Sequence, residues 1–213
     1  EQAQHYLRIG PSNLEWDGTR LKVQINERAS PFFQKVKGTI TLTPETVITE
    51  HFDLSGDGRH FWQPFGAVSH AEVEFTNPAL SWSGIAYMDS NWGQEPLESG
   101  FEYWDWSRAH TKDGAGILYD AFTRSGEDRQ LALSINRDGD VQHAEIPPKQ
   151  KLSRGTIWRV RRSTLNSNEN AKTLRMLEDT PFYTRSQIST EFGDEAVVAV
   201  HESLDCDLFA KQW

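Results

Sequence analysis

Two residue pairs, each separated by a single position, carry the chemistry in this chain of 213 residues: Tyr87 with Asp89, and His60 with Trp62. In an extended segment residues i and i+2 share a face. A phenol then stands beside a carboxyl group, and an imidazole beside an indole. Such a set suits acid–base chemistry by carboxylate and imidazole next to aromatic surface. Facing each other across a barrel, the two pairs would enclose one apolar space. Each residue also has a plainer reading. Asp89 can open the turn Asp89-Ser90-Asn91 that Gly93 closes, His60 can be a satisfied core or rim histidine, and Trp62 can be core packing. On pattern alone both readings stand.

The elements that must hold these residues read as strands. Leu80 to His110 contains four of the eight tryptophans without a helical apolar stripe. Its first part alternates Trp82, Gly84, Ala86 and Met88 with Ser83, Ile85, Tyr87 and Asp89, as expected for a strand covered on both sides. Upstream, Leu14 to Asn26 reads as a hairpin turning at Asp17-Gly18. Val36, Ile40 and Leu42 mark a further strand, and Thr46 to Leu54 and Arg59 to Pro64 flank a turn at Ser55-Gly56-Asp57-Gly58. That turn resembles a calcium loop only in its acids and glycines and lacks the remaining ligand spacing. Ala71 to Thr76 alternates as a half-buried strand ending at Asn77-Pro78. Ile117 to Phe122, Leu131 to Ile135, Val141 to Ile146, Trp158 to Arg162, Phe182 to Glu191 and Ala196 to Leu204 continue the series. Asn166 to Asp179 fits a helix or a strand. Short strands at even spacing with repeated Asp-Gly turns predict an all-β barrel or sandwich. A second series of hairpins starts near Gly100, so we expect domains at 1–100 and 101–213.

Composition narrows the function. A net charge of −9, with no basic run interleaved with aromatics, argues against nucleic acid as a partner. The single cysteine, Cys206, rules out an intrachain disulfide and a cysteine-rich zinc site, and the histidines show no paired spacing for a metal. Phosphate-loop, nucleophile-elbow and Cys/His signatures are absent. No apolar run reaches the roughly 18 residues of a membrane span, so the chain is expected to be soluble and cytoplasmic. Lys149 to Arg162 holds six basic residues and no acid. It is either a solvated strand pair or a site of peripheral contact with anionic headgroups.

The segments Trp82 to Gly93 (WSGIAYMDSNWG) and Trp104 to Ala109 (WDWSRA) resemble the carotenoid 1,2-hydratase family, also called hydroxyneurosporene synthases. His60-Phe61-Trp62, Leu177 to Ser186 and Ala199 to Asp205 extend the likeness over nearly the whole chain. The resemblance implies two tandem lipocalin-like (calycin) antiparallel β-barrels, shared with AttH-like proteins. Family members carry a longer part before the segment like Ser12 to Gly18, which implies a first barrel short of N-terminal strands.

The resemblance further implies addition of water to the terminal C1–C2 double bond of acyclic carotenoids such as neurosporene and lycopene, without a cofactor. The family's His-x-Trp and Tyr-x-Asp motifs fall on His60, Trp62, Tyr87 and Asp89. On that basis Asp89 is expected to protonate the alkene. A free Asp has a pKa of about 3.9, so burial among rings must keep it neutral. Trp62 and Tyr87 are expected to face the tertiary cation, and His60 to take a proton from water or to tune Asp89. Trp82, Trp92, Trp104 and Trp106 are the candidate substrate-lining rings. A carrier of apolar ligands, and a polyene cyclase using the same acid, are the rival readings. The sequence is silent on oligomeric state.

Overall fold

The computed structural model describes residues 2, 3 and 5–211. Among these the regular structure is strand, apart from two four-residue helices. The chain divides into two compact units, Glu1–Ile48 with Pro64–Asp89, and Thr49–Gln63 with Ser90–Trp213. The sequence places its break near Gly100, whereas the contacts pass to the second unit at two places.

The first half of the chain carries β1 (Gln2–Ala3), β2 (Tyr6–Ile9), β3 (Ser12–Trp16), β4 (Leu21–Ala29), β5 (Gln34–Pro44), β6 (Phe52–Asp53), β7 (His60–Asn77) and β8 (Ala79–Gly93). In the first unit β1 to β5 pair in sequence, β5 pairs with β7, and β8 pairs with β7. The expected hairpin forms because the Asp17 carboxylate accepts the backbone N–H groups of Thr19 and Arg20, each at 2.9 Å. That is the Asx geometry a turn aspartate provides. Leu21, Val23 and Ile25 are half-buried while Lys22, Gln24 and Asn26 are exposed, and the register Leu21↔Leu42 and Val23↔Ile40 puts apolar side chains on one face. Ala71 and Val73 on β7 extend that row through Leu42↔Ala71 and Ile40↔Val73, and they are buried, as are Ala67, Val68, Met88 and Ile48.

Three expectations differ here. Arg59 to Pro64 and Ala71 to Thr76 belong to one 18-residue strand, β7, because the residues between them are apolar enough to stay buried without a turn. Thr46 to Leu54 is mostly not a strand. Outside β6 it forms no strand and is held where Glu45 N donates to Val68 O and Ile48 N to Phe65 O, with Ile48 buried while Val47 and Thr49 are exposed. Nor is β8 covered on both sides, since Ile85 is 67% exposed and Trp82 50%.

The second unit contains α1 (Leu97–Gly100), β9 (Phe101–His110), β10 (Gly114–Thr123), β11 (Asp128–Asn136), β12 (Val141–His143), β13 (Lys149–Lys151), β14 (Ser163–Leu165), β15 (Lys172–Asp179), β16 (Tyr183–Phe192), β17 (Glu195–Asp205) and α2 (Cys206–Phe209). Seven strands form an antiparallel sheet in the order β12-β11-β10-β9-β17-β16-β15, and β13 pairs with β14 separately. Of the ambiguous segment 166–179, residues 172–179 form β15, whose pairing with β16 is interrupted by two register shifts. Those shifts explain its mixed periodicity. Trp158 to Arg162 is not a strand and lies in the loop joining β13 to β14. Ala109, Leu152, Ala171, Ile188 and Ala199 make one buried cluster, against which Phe192 and Val197 pack.

At the end of β17 the Asp205 side chain caps α2 by accepting Leu208 N at 2.9 Å. Cys206, the first residue of that helix, is fully buried, and burial pushes its thiol up to about 12. No helix among the described residues is long and apolar enough to cross a membrane.

Candidate active site

In the first unit, β8 places Tyr87 and Asp89 on one face, and the Tyr87 hydroxyl donates to Asp89 Oδ2 at 3.1 Å. Both are half-buried. Met88 between them turns the other way and is buried against β7. A Cβ on Gly66 would come within 2.7 Å of Met88 Cε and 2.8 Å of Ser69 Oγ. Glycine at position 66 therefore lets Met88 seat, and that seat fixes the rotation of the strand presenting the acid and the phenol. Position 89 lies inside β8, which runs on to Gly93, so the turn alternative for Asp89 is not realised. Trp82 sits on the same strand with its ring edge against Gly84.

In the second unit, the opening residues of β7 carry His60 and Trp62, and Trp62 pairs with Phe52 of β6. The His60 ring is buried and meets the Phe101 ring edge-on, with centroids 4.9 Å apart. It occupies a slot that two glycines leave open. A Cβ on Gly93 would lie 2.8 Å from His60 Nδ1, and one on Gly100 2.5 Å from Nε2. His60 Nε2 is 3.4 Å from Glu95 Oε1, but the angle makes no aligned hydrogen bond, so this is an electrostatic contact. The other Glu95 oxygen accepts from Arg59 Nη1 at 2.9 Å, and Arg59 also pairs with Asp57. The Arg59 guanidinium holds the Asp57 carboxyl well below the usual range, while Asp57 and Glu95 raise Arg59. A buried imidazole beside an oriented carboxylate is an arrangement able to accept a proton.

Sequence reasoning missed Glu95. It lies far from His60 along the chain in a polar stretch, and nothing in its spacing marks it.

Trp62 is fully enclosed. Its ring meets Phe52 at 5.6 Å and Tyr119 at 5.4 Å, and Tyr119 meets Trp104 edge-on at 5.9 Å. The geometry is that of aromatic packing. Trp92 stacks on Phe61 with planes 19° apart. Trp106 is buried on the face of β9 that also carries Trp104, and it pairs in register with Tyr119. Two cavities of about 260 Å³ occur in this unit, and neither is lined by His60 or Trp62.

The opposite face of β9 holds a polar cluster that the sequence did not reveal. Asp105 is buried and accepts from Ser163 N at 3.2 Å, from Ser163 Oγ at 2.6 Å and from the Ser203 hydroxyl. Burial nevertheless raises its pKa, outweighing those hydrogen bonds. Fully buried His201 donates from Nε2 to Ser163 O at 2.7 Å, and desolvation pushes it down to about 3. Arg162 hydrogen-bonds Ser153 O, Thr173 Oγ1 and Ser186 Oγ, and burial lowers it. Although Ser, His and Asp occur together, this is no nucleophilic triad. The imidazole bonds a backbone carbonyl, and the space around the cluster has no room for a water molecule. Among the described residues no group of three or more His, Cys, Asp or Glu is placed to hold a metal.

Comparison with known proteins agrees with this architecture. A protein described as a candidate AttH from Nitrosomonas europaea has a crystal structure that superposes with a TM-score of 0.61 at 14% identity. The match covers 96% of this chain and 71% of that one, and so shows the shared lipocalin-like all-β fold. The acyclic carotenoid 1,2-hydratase of Thiocapsa roseopersicina is 44% identical over 98% of this chain and 52% of its own length. That of Rubrivivax gelatinosus is 39% identical over 92% and 48%, and that of Cereibacter sphaeroides 36% identical over 98% and 75%. The chain thus spans about half the length of the first two relatives. The family model described as "Carotenoid hydratase CrtC" matches residues 1–213, and the chain belongs to that family.

Proposed function

We propose that this chain adds water across the terminal C1–C2 double bond of acyclic carotenoids, the reaction for which its relatives are named. The hydrogen bond from Tyr87 to Asp89 Oδ2 supports the reading most directly. It sets a hydroxyl donor directly on the carboxyl group that is to give up its proton. In the first step that proton passes to C2 as the π electrons form the new C–H bond, leaving a tertiary cation at C1. The Tyr87 hydroxyl stabilises the carboxylate that remains. A water oxygen then bonds to C1 and loses a proton, for which we assign the imidazole of His60, oriented by Glu95. Return of that proton through solvent to Asp89 closes the cycle with one water added.

Incubation with lycopene or neurosporene in deuterated water tests this. The expected product carries one deuterium at C2 and a hydroxyl at C1, and Asp89→Asn loses at least about a hundredfold in rate. A cyclised product, unchanged bound pigment, or an Asp89→Asn variant at wild-type rate would each overturn it.

A further inference from the structure

We propose that the cavity between β9 and the hairpin of β13 and β14 binds a phosphate ester or a diphosphate. Tyr103 on β9 and Lys149, Lys151, Arg154, Arg161 and Arg162 on the hairpin line a space of about 260 Å³, and no acid joins them. The chain as a whole carries a net charge of −9, so this concentration of cations runs against its overall charge. The hairpin gathers them. Its pairing continues past the strands, with Leu152 N donating to Arg162 O at 3.0 Å and Gly155 N to Val160 O at 3.4 Å, up to a tip at Thr156 to Arg159. Leu152, Gly155 and Val160 are buried and anchor the two arms.

The lining cations are not used alike. Lys149 is already paired, with Nζ 2.7 Å from Asp120 Oδ2 and donating to the Tyr103 hydroxyl at 3.4 Å. Lys151, Arg154 and Arg161 are exposed and close no salt bridge among the described residues. Arg161 lies over the Tyr103 ring, which stacks on Phe122 with planes 10° apart. Three exposed cations alone would be an ordinary solvated surface. Arg162 makes the difference. It is 4% exposed, and its guanidinium donates only to neutral oxygens, those of Ser153 O, Thr173 Oγ1 and Ser186 Oγ. Its Nε has no partner. No carboxylate among the described residues comes within ion-pair distance of it, and Asp105 and Asp179 act on it only from farther away. A buried charge without a counter-ion is costly. The wall of this cavity thus holds positive charge that the protein itself leaves uncompensated, and an anion in the cavity supplies what is missing. Several converging guanidinium and ammonium groups suit a tetrahedral anion with more than one charged oxygen, whereas a single arginine saturates a carboxylate. The volume agrees. At about 30 Å³ per water the space equals roughly eight or nine waters, room for a phosphate with a second phosphate or a small organic group.

The inference stands apart from the hydration reading, and its test involves no turnover. The whole chain is titrated calorimetrically with pyrophosphate and with glycerol phosphate, acetate at matched ionic strength serving as control. Sedimentation with phosphatidylglycerol or phosphatidylcholine vesicles runs in parallel. Pyrophosphate is expected to bind one per chain, and acetate not to bind. Lys151→Gln and Arg154→Gln are each expected to weaken binding about fivefold and the double variant about 25-fold, with circular dichroism unchanged. Lys22→Gln, which removes the same charge from an exposed position on β4, is expected to bind as wild type does. Glycerol phosphate binding with no preference between vesicles supports a soluble ester as the ligand. A preference for phosphatidylglycerol that glycerol phosphate competes away supports a lipid headgroup in the same cavity. Failure of pyrophosphate, glycerol phosphate and phosphatidylglycerol alike to bind would overturn the proposal. So would acetate binding as tightly as pyrophosphate, the double variant at wild-type affinity, or a loss in Lys22→Gln equal to that in Lys151→Gln.

Discussion

In the proposed hydration, a hydrogen bond from Tyr87 to the carboxylate left on Asp89 would contribute about 1.5–3 kcal/mol. Tyr87→Phe should therefore lower the hydration rate by about ten- to a hundredfold while leaving the fold intact, as steady-state kinetics beside circular dichroism would show. Unchanged kinetics would remove Tyr87 from the mechanism. His201 makes a different kind of contribution. Held neutral down to about 3 against an ordinary value of 6.5, it takes up a proton in the unfolded chain throughout that window but not in the folded one. Stability must then fall as pH drops from 6.5 toward 3, by up to about 1.4 kcal/mol per pH unit. Asp105 acts in the opposite sense. Its raised value means the folded chain keeps a proton that the unfolded chain has released, so its contribution weakens as pH rises above 3.8. His201→Gln keeps a donor toward Ser163 O and removes only the histidine titration. Urea unfolding at pH 7 and pH 4.5 should show wild type losing more stability than the variant, with Asp105 cancelling in the difference. Equal losses would contradict the assignment.

At the scale of elements, strand β5 pairs with β7 through a register shift at Lys37 and Gly38. A Cβ on Gly38 would stand 2.6 Å from Glu74 O and 2.7 Å from Phe75 Cα, both backbone atoms that cannot swing aside. Gly38→Ala should cost about 1–3 kcal/mol in chemical denaturation, and a neutral result would mean the shift relaxes freely. The sequence shows nothing special at Gly38, and the reason is general to this fold. Alternation along one strand is local and was legible at Leu21 to Ile25 and at Ala71 to Thr76. Bulges, partners and packing depend on which strand comes alongside. Hence 46–54 and 158–162 looked like strands by composition, while 166–179 could not be decided until β16 supplied its register. The pairs proposed for catalysis follow the same rule. Two residues apart on one strand, His60 with Trp62 and Tyr87 with Asp89 could be read directly. Glu95 beside His60, and Ser163 and Ser203 on Asp105, come from distant segments with no periodic link.

For the whole molecule, burial is unevenly shared between the units. The first unit relies on Ala67, Val68, Ala71, Val73, Ile48 and Met88, while Leu7, Ile9, Leu80, Trp82 and Ile85 stand exposed. The second encloses Phe101, Ile117, Leu133, Ile135, Leu165 and Ile188 almost completely. Amide hydrogen exchange should be faster in β1 to β4 than in β9, β10, β16 and β17, because local opening exposes less apolar surface in the first set. Uniform protection would contradict this.

The capped helix α2 has a practical consequence. Its buried Cys206, the one thiol in the sequence, stays protonated and shielded at neutral pH, so the native chain is nearly silent toward maleimides. A cysteine introduced at position 157 would then be the sole reactive handle. A polarity-sensitive dye attached there would turn the hairpin tip into an optical reporter, free of background from the eight native tryptophans.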